Sequence, residues 1–310
     1  MKCLFVQQER VNHEIGMLCL VIGISRATYY RWLRDDGLPS QKHDAQLLGH
    51  ITEQFSGSDE TYGARRVHAA LKRIGIRVSR ARVSRIMRER NLHAVRPKRR
   101  IHTTNSKHEY PVAENLLDRN FSPDATGLNC RWTGDVTFID TKEDWLYLAV
   151  ILDLASRRVV GYAMSANNDR HLVLDALRMA AEKRPNRSTK LIFHSDRGST
   201  YAATECRQAL ESLGIQCSMS DVGECLDNAT TESFNATIKR ELIDRHEWNS
   251  HDEVAVAIIR YIEQWYNPRR LHSSLKYRSP IEHEIALITT QAKAGSPSDV
   301  NKIPLVTPSA

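Results

Sequence analysis

From His13 to Leu33 the apolar residues recur at helical spacing. Ile15, Leu18, Cys19 and Ile22 share one face, Gly23 interrupts, and Ser25 is placed to cap a second run through Thr28, Tyr29 and Trp32. A second pair repeats the plan: Val67, Ala70, Leu71 and Ile74 line a helix that Gly75 ends, and Ser79 caps another that contains Val83, Ile86 and Met87. Beyond about Asn129 the period shortens to two. Trp132 to Ile139 alternates, Trp145 to Leu154 is a continuous apolar run, and Arg158 to Met164 reads as a third strand, with Thr141-Lys142-Glu143-Asp144 turning between the first two. His171 to Lys183 then predicts a helix, Lys190 to His194 a short strand, Thr204 to Leu213 a helix ended by Gly214, Ile215 to Met219 a strand, and the segment from near Asn228 a further helix.

The order βββ-α-β-α-β-α implies an α/β core: a mixed sheet with helices on its faces, in the ribonuclease H-like order, preceded by an all-α helix-turn-helix region. The expected organisation is a helix-turn-helix-like segment at 1–40, a basic helix-turn-helix domain at 41–96, a basic linker at 97–125, the catalytic core with C-terminal helices at 126–285, and a flexible Ser- and Pro-containing tail at 286–310.

Charge sharpens this picture. The 310 residues carry a formal +7, but Arg65 to Arg100 alone holds 14 Lys or Arg against the single acid Glu89, so that stretch is at +13 and the rest of the chain at −6. A solvated helix face usually mixes signs, and this one does not, which points to DNA. Arg65 and Arg66 decorate the first helix of the second pair, and Arg80, Arg82, Arg85 and Arg88 project from the second. No apolar run approaches the 18 residues of a membrane span, and the apolar start is too short for a signal peptide, so a cytoplasmic protein is expected, associated with the nucleoid when bound to DNA. The six cysteines lie far apart without a paired spacing, which argues against a zinc site and a redox motif.

The candidate chemistry lies in three acids. Asp135 sits near the middle of the first strand, where a carboxylate is costly unless paired or metal-bound. Asp196 follows the short strand, at the carboxyl end where sites of such sheets gather. Glu232 lies 35 intervening residues later on a helix whose Phe234, Ile238 and Leu242 form the packing stripe. Lys239 falls within about 20° of Glu232 around that helix but roughly 10 Å along it, too far for a simple ion pair, so a DNA phosphate is the more economical partner. Magnesium prefers oxygen ligands and shares its remaining positions with water and phosphate, so three acids suffice to hold two ions against a phosphodiester. Spacing alone is weak, because 37 of the 310 residues are acidic. Asp153, Asp140 and Asp227 compete, and read as structural or capping residues.

Five segments supply the specificity: Thr61-Tyr62-Gly63-Ala64-Arg65-Arg66-Val67, Trp132-Thr133-Gly134-Asp135-Val136-Thr137, His194-Ser195-Asp196-Arg197-Gly198, Asp227-Asn228-Ala229 with Glu232-Ser233-Phe234, and Tyr266-Asn267-Pro268-Arg269-Arg270-Leu271-His272-Ser273. In these the chain resembles the bacterial insertion-sequence transposases of the retroviral integrase-like DDE group, specifically their OrfB-type catalytic proteins, over about residues 44 to 285. The resemblance implies that Asp135, Asp196 and Glu232 are the metal-binding catalytic acids and Lys239 a DNA contact, with Mg²⁺ or Mn²⁺ as cofactor, two ions when DNA is bound. Arg270 and His272 complete the expected DNA-binding set. It also implies binding of the element's terminal repeats and target DNA, cleavage and strand transfer without a covalent protein–DNA intermediate, a homo-multimer on DNA, and a partner or frameshift fusion from an upstream reading frame. Leu226, where an aromatic often stands, and Asn235 depart from the pattern, and neither is expected to touch a metal ligand. A helix-turn-helix regulator with an inactive core, or a nuclease that never joins strands, are the alternatives.

Overall fold

The computed structural model describes residues 1–34, 39–96, 115–117, 127–185, 187–196, 201, 204–220 and 229–293. It falls into two compact units, Met1–Ala94 and Val95–Ala310.

The first unit is all helical. α1 (Lys2–Glu9), α2 (Ile15–Ile22) and α3 (Arg26–Arg34) pack around Val6, Leu18, Cys19 and Tyr29. Gly23 ends α2 at φ +67°, a left-handed conformation that glycine adopts without steric cost. α1 lies outside the sequence expectation because its eight residues have almost no apolar periodicity. α4 (Pro39–Ser56), α5 (Ala64–Arg73) and α6 (Arg80–Glu89) contact one another pairwise, with Leu47, Ile51, Phe55, Val67, Leu71, Val83, Ile86 and Met87 buried. Ser79 caps α6 by accepting from the Arg82 amide at 3.3 Å, as its position before the helix predicts.

The second unit is a five-stranded sheet in the order β3-β2-β1-β4-β5. β1 (Arg131–Asp140), β2 (Trp145–Asp153) and β3 (Val159–Ser165) form the expected antiparallel meander, while β4 (Ile192–Ser195) and β5 (Gln216–Met219) add in parallel through α7 (Arg170–Lys183) and α8 (Thr204–Ser212). Both faces are covered, which is why β2 is continuously apolar: Ala149 and Ile151 pack with α7, and Leu146, Leu148, Val150 and Leu152 pack with the helices on the other side. Gly161 marks the closest approach of sheet and α7, since a Cβ there would lie 2.3 Å from the Ala176 carbonyl oxygen.

The second face is covered by α9 (Ala229–Glu241) and α10 (His251–Arg260), the latter continuing as a π-helical turn through Tyr266. α11 (Pro280–Lys293) runs past residue 286, where the sequence placed the start of a loose tail. Its Glu284 accepts from Arg158 at 2.7 Å and from the buried Arg184 at 2.6 Å, which ties the helix to the core. The remainder of that tail, and of the linker apart from 115–117, lies outside the described residues, as does Cys225; the other five cysteines are free thiols. Among the described residues no helix is long and apolar enough to cross a membrane.

Candidate active site

The pairing of β1 with β4 ends at Thr133 opposite His194. Continuing that register by one pleat sets Asp135 against Asp196, on the same face of the sheet, in strands whose usual separation is about 4.8 Å. Strand register therefore brings together two acids 61 positions apart, at the point where β4 gives out and the edge of β1 opens. His194 anchors this junction: its ring bonds Ser218 Oγ at 2.9 Å and Ser220 Oγ at 3.2 Å, clamping β4 to β5 just before Asp196.

α9 lies along β1 on that face. Thr231 meets Thr133, hydroxyl to hydroxyl at 2.9 Å, and one turn later Asn235 Nδ2 donates to Asp135 Oδ2 at 2.8 Å. The match is geometric: four helical residues rise about 6 Å, nearly the same as two strand residues. Another turn brings the Lys239 ammonium over the Phe138 ring, 4.6 Å from its centre. Phe234 and Ile238 anchor the helix in the core, and Glu232, exposed, stands on the flank that carries Asn235 and Lys239.

The Asp135 carboxyl is pushed up to about 7, first by burial, then by the negative charge of Asp196 and, more weakly, of Glu232; hydrogen bonds from the Val136 amide and from Asn235 pull the other way. Tyr201, buried beneath, is raised well above the ordinary phenol range by burial and by the charges of Asp135 and Asp196. Gly134 leaves the room that the Phe193 and Tyr201 rings occupy, as a Cβ there would lie 2.6 Å from Phe193. The three acids thus share one field without closing into a preformed cage: among the described residues no group of three His, Cys, Asp or Glu side chains is gathered tightly enough to hold a metal. The donor set still fits a hard cation. It is all oxygen, it carries surplus negative charge, and each oxygen of Asp135 accepts only one of the two bonds its lone pairs allow.

The basic residues divide. Arg65 and Arg80 are exposed and Arg66 is half-buried, with its guanidinium over the Tyr62 ring. Arg82 and Arg85 are instead held by Asp44 of α4, each at 2.6 Å. Arg270, expected at the DNA, is 1% exposed and binds Glu241 with Nε at 2.8 Å and an amino group at 2.6 Å, so its guanidinium is taken up in the core. His272 packs edge-on against Tyr266 and is half-buried beside Arg270. Asp153 is fully buried, accepting from the Asn129 and Ser156 amides and the Ser156 hydroxyl, a structural acid as expected. Asp227 lies outside the described residues.

Asn235 corrects the expectation that it touches no candidate ligand, since it bonds the Asp135 carboxylate directly. Its angular position was the available signal, since three residues after Glu232 it lies between the Glu232–Lys239 flank and the packing stripe.

A five-stranded mixed sheet in this order, with an acid in its first strand facing another at the end of its fourth, defines a ribonuclease H-like core of the integrase type. The Integrase core domain family matches residues 125–225 and again 213–280, and the HTH-like domain family matches 42–100. The chain is 40% identical to the insertion element IS600 uncharacterized 31 kDa protein of Shigella sonnei, over 85% of this chain and 96% of that one. It is 33% identical to transposase InsF for insertion sequence IS3A of Escherichia coli K12, over 92% of this chain and 98% of that one. A more distant likeness in fold is to the magnesium-bound catalytic core of HTLV-2 integrase in its trimeric form, 18% identical over 50% of this chain and 96% of that one, at a TM-score of 0.39. The chain belongs to the insertion-sequence transposases of the integrase-core group. Its class of activity is polynucleotidyl transfer on DNA.

Proposed function

We propose that this transposase is a DDE enzyme: Asp135, Asp196 and Glu232 hold two Mg²⁺ or Mn²⁺ ions and the chain cleaves the ends of its insertion element and joins them to target DNA. The observation that carries the reading is geometric: strand register sets Asp135 towards Asp196 and α9 lays Glu232 and Asn235 along the same strand, and burial with the neighbouring acids raises the Asp135 carboxyl to about 7, a charge that a cation would offset. When bound, such ions supply activation of an attacking oxygen and stabilisation of the leaving one.

The chain's own residues do the rest. β1 and β4 fix Asp135 and Asp196 to the rigid sheet, and α9 delivers Glu232 from the opposite side. Asn235 holds the Asp135 carboxylate in one rotamer, and Lys239 stands two turns beyond Glu232 to engage a phosphate further along the strand. The exposed basic face of α5 and α6 binds the terminal repeats. Assembly on DNA is as a homo-multimer in the bacterial cytoplasm, with an upstream-reading-frame partner or fusion supplying further DNA-binding helices. Domain limits of 41–96 for end binding and 126–285 for catalysis fit this division of labour.

The test is incubation of the full chain with a labelled duplex of the terminal repeat, a target plasmid and Mg²⁺. Joined products are expected, and Asp196→Asn is expected to lose cleavage and joining together while keeping affinity for the duplex. Cleavage without joining would assign a nuclease, and unchanged joining by Asp196→Asn would overturn the assignment of the acids.

A further inference from the structure

α6 carries its arginines on two separate stripes. With Val83, Ile86 and Met87 facing the core, Arg80, Ser84 and Arg88 follow one another at four-residue spacing along one flank, drifting about 40° per step. All three are exposed. Arg82, Arg85 and Glu89 occupy the other flank, about 130° away. There Asp44 of α4 closes a clasp: Oδ1 accepts from Arg82 Nε and Oδ2 from Arg85, each at 2.6 Å, while Glu89 takes a second amino group of Arg85 at 3.1 Å. The Asp44 side chain is only 20% exposed and both its oxygens are used. The two guanidinium groups also pull the Asp44 carboxyl below its ordinary value, so it stays charged at neutral pH.

An arginine that is neither tied to protein nor seated against a base edge binds any phosphate within reach, and each such contact adds affinity without adding sequence information. On a helix with four arginines that tendency works against end recognition. Among the described residues no carboxylate binds Arg80 or Arg88, so the two flanks differ in chemistry and not merely in exposure. Arginine reading guanine O6 and N7 in the major groove is the commonest specific contact from such a helix.

Resting on the DNA-processing reading above, we propose that Asp44 is a specificity-determining residue. It withdraws Arg82 and Arg85 from phosphate contact, and so leaves Arg80, Ser84 and Arg88 as the stripe that reads base edges of a guanine-containing duplex end.

The experiment measures binding of the full chain, by fluorescence anisotropy over a salt series, to a duplex of the element's terminal repeat and to a shuffled duplex of equal composition. Asp44→Asn is expected to bind the shuffled duplex about tenfold more tightly and to steepen its log K against log salt slope by about 2, the effect of two released phosphate contacts at about 0.9 each. Arg80→Ala and Arg88→Ala are each expected to cut the repeat-to-shuffled ratio tenfold or more. An unchanged ratio and slope in Asp44→Asn, with helical circular dichroism retained, overturns the proposal. If that variant unfolds, Arg82→Gln with Arg85→Gln opens the same clasp from the other side. It is expected to leave both affinities and the salt slope close to the parent's, because the clasped guanidinium groups make no phosphate contact to lose, and a fall in the ratio as large as that of Arg80→Ala, or a slope lessened by about 2, overturns the proposal instead. Failure of the unsubstituted chain to bind either duplex would sink the DNA-processing reading itself.

Discussion

Asn235 donates a 2.8 Å hydrogen bond to Asp135 across 100 positions of chain, so α9 holds the carboxylate that the first strand presents. With Asp135 ionised, as above pH 7, the amide must present its NH₂ group, because a carboxylate then only accepts. Removing the bond frees the Asp135 rotamer and leaves the three acids in place. Asn235→Ala is expected to lower single-turnover cleavage about 10- to 100-fold, the usual cost of losing an outer partner of a metal ligand, and to raise the Mg²⁺ concentration needed for half-maximal rate. A thermal melt within a few degrees of the parent separates this from unfolding. Equal rates and equal Mg²⁺ dependence in parent and variant would remove Asn235 from the machinery.

Asp135 predicts a conflict between stability and activity. Its carboxyl is raised to about 7 in the folded chain from an ordinary 3.8, so between those values the folded protein holds a proton that the unfolded chain has lost. Stability of the metal-free protein therefore rises as pH falls from about 8 towards 4, and the full cost of the charge is felt above pH 7. At roughly 1.4 kcal/mol for each tenfold change in proton affinity, reduced because the carboxylate keeps some access to water, that cost is of order 1–3 kcal/mol. Asp135→Asn in EDTA is expected to melt several degrees above the parent at pH 8 and to converge with it near pH 4, while losing cleavage. Parallel melting curves across that range would show that the charge is not under strain.

Arg270 and Glu241 form a buried ion pair that also takes the Tyr261 hydroxyl at 2.9 Å. Cutting one partner leaves a charge stranded in the core, so Arg270→Ala is expected to destabilise the second unit by about 3–5 kcal/mol in denaturant unfolding. Glu241→Leu with Arg270→Met, which removes both charges, should recover much of that loss. A DNA-contacting arginine would behave oppositely, with a normal melt and weakened duplex binding.

Arg270 also marks the limit of what local sequence conveys. The strands of the core were legible because alternation and continuous apolar runs report how each strand is covered, and Asp135 stood out as an acid where burial is the rule. The places of Asp196 and Glu232 in the fold were legible because one follows a strand end and the other sits beside a packing stripe. What escaped were pairings set by tertiary distance. Arg270 meets Glu241 from 29 positions away and Arg82 meets Asp44 from 38, and nothing in a basic segment says which of its charges will be taken up inside. α4 was missed for a related reason: it is mostly polar, and only Leu47, Ile51 and Phe55 record the face it buries.

Lys239 reaches the end of the α9 flank with its ammonium over Phe138, a ring that is itself 42% exposed and set edge-on to the exposed Trp145. The ring contact itself is worth only about 0.5–1 kcal/mol. Lys239 is expected to turn to DNA when a duplex is bound. Lys239→Ala is expected to weaken duplex binding about uniformly across sequences and to lessen the salt slope by about 1, the signature of a single phosphate contact. Its cleavage rate at saturating DNA should fall less than that of Asn235→Ala, because the acids keep their geometry. Anisotropy titrations at several salt concentrations read the slope directly, and an unchanged slope would confine Lys239 to the Phe138 ring.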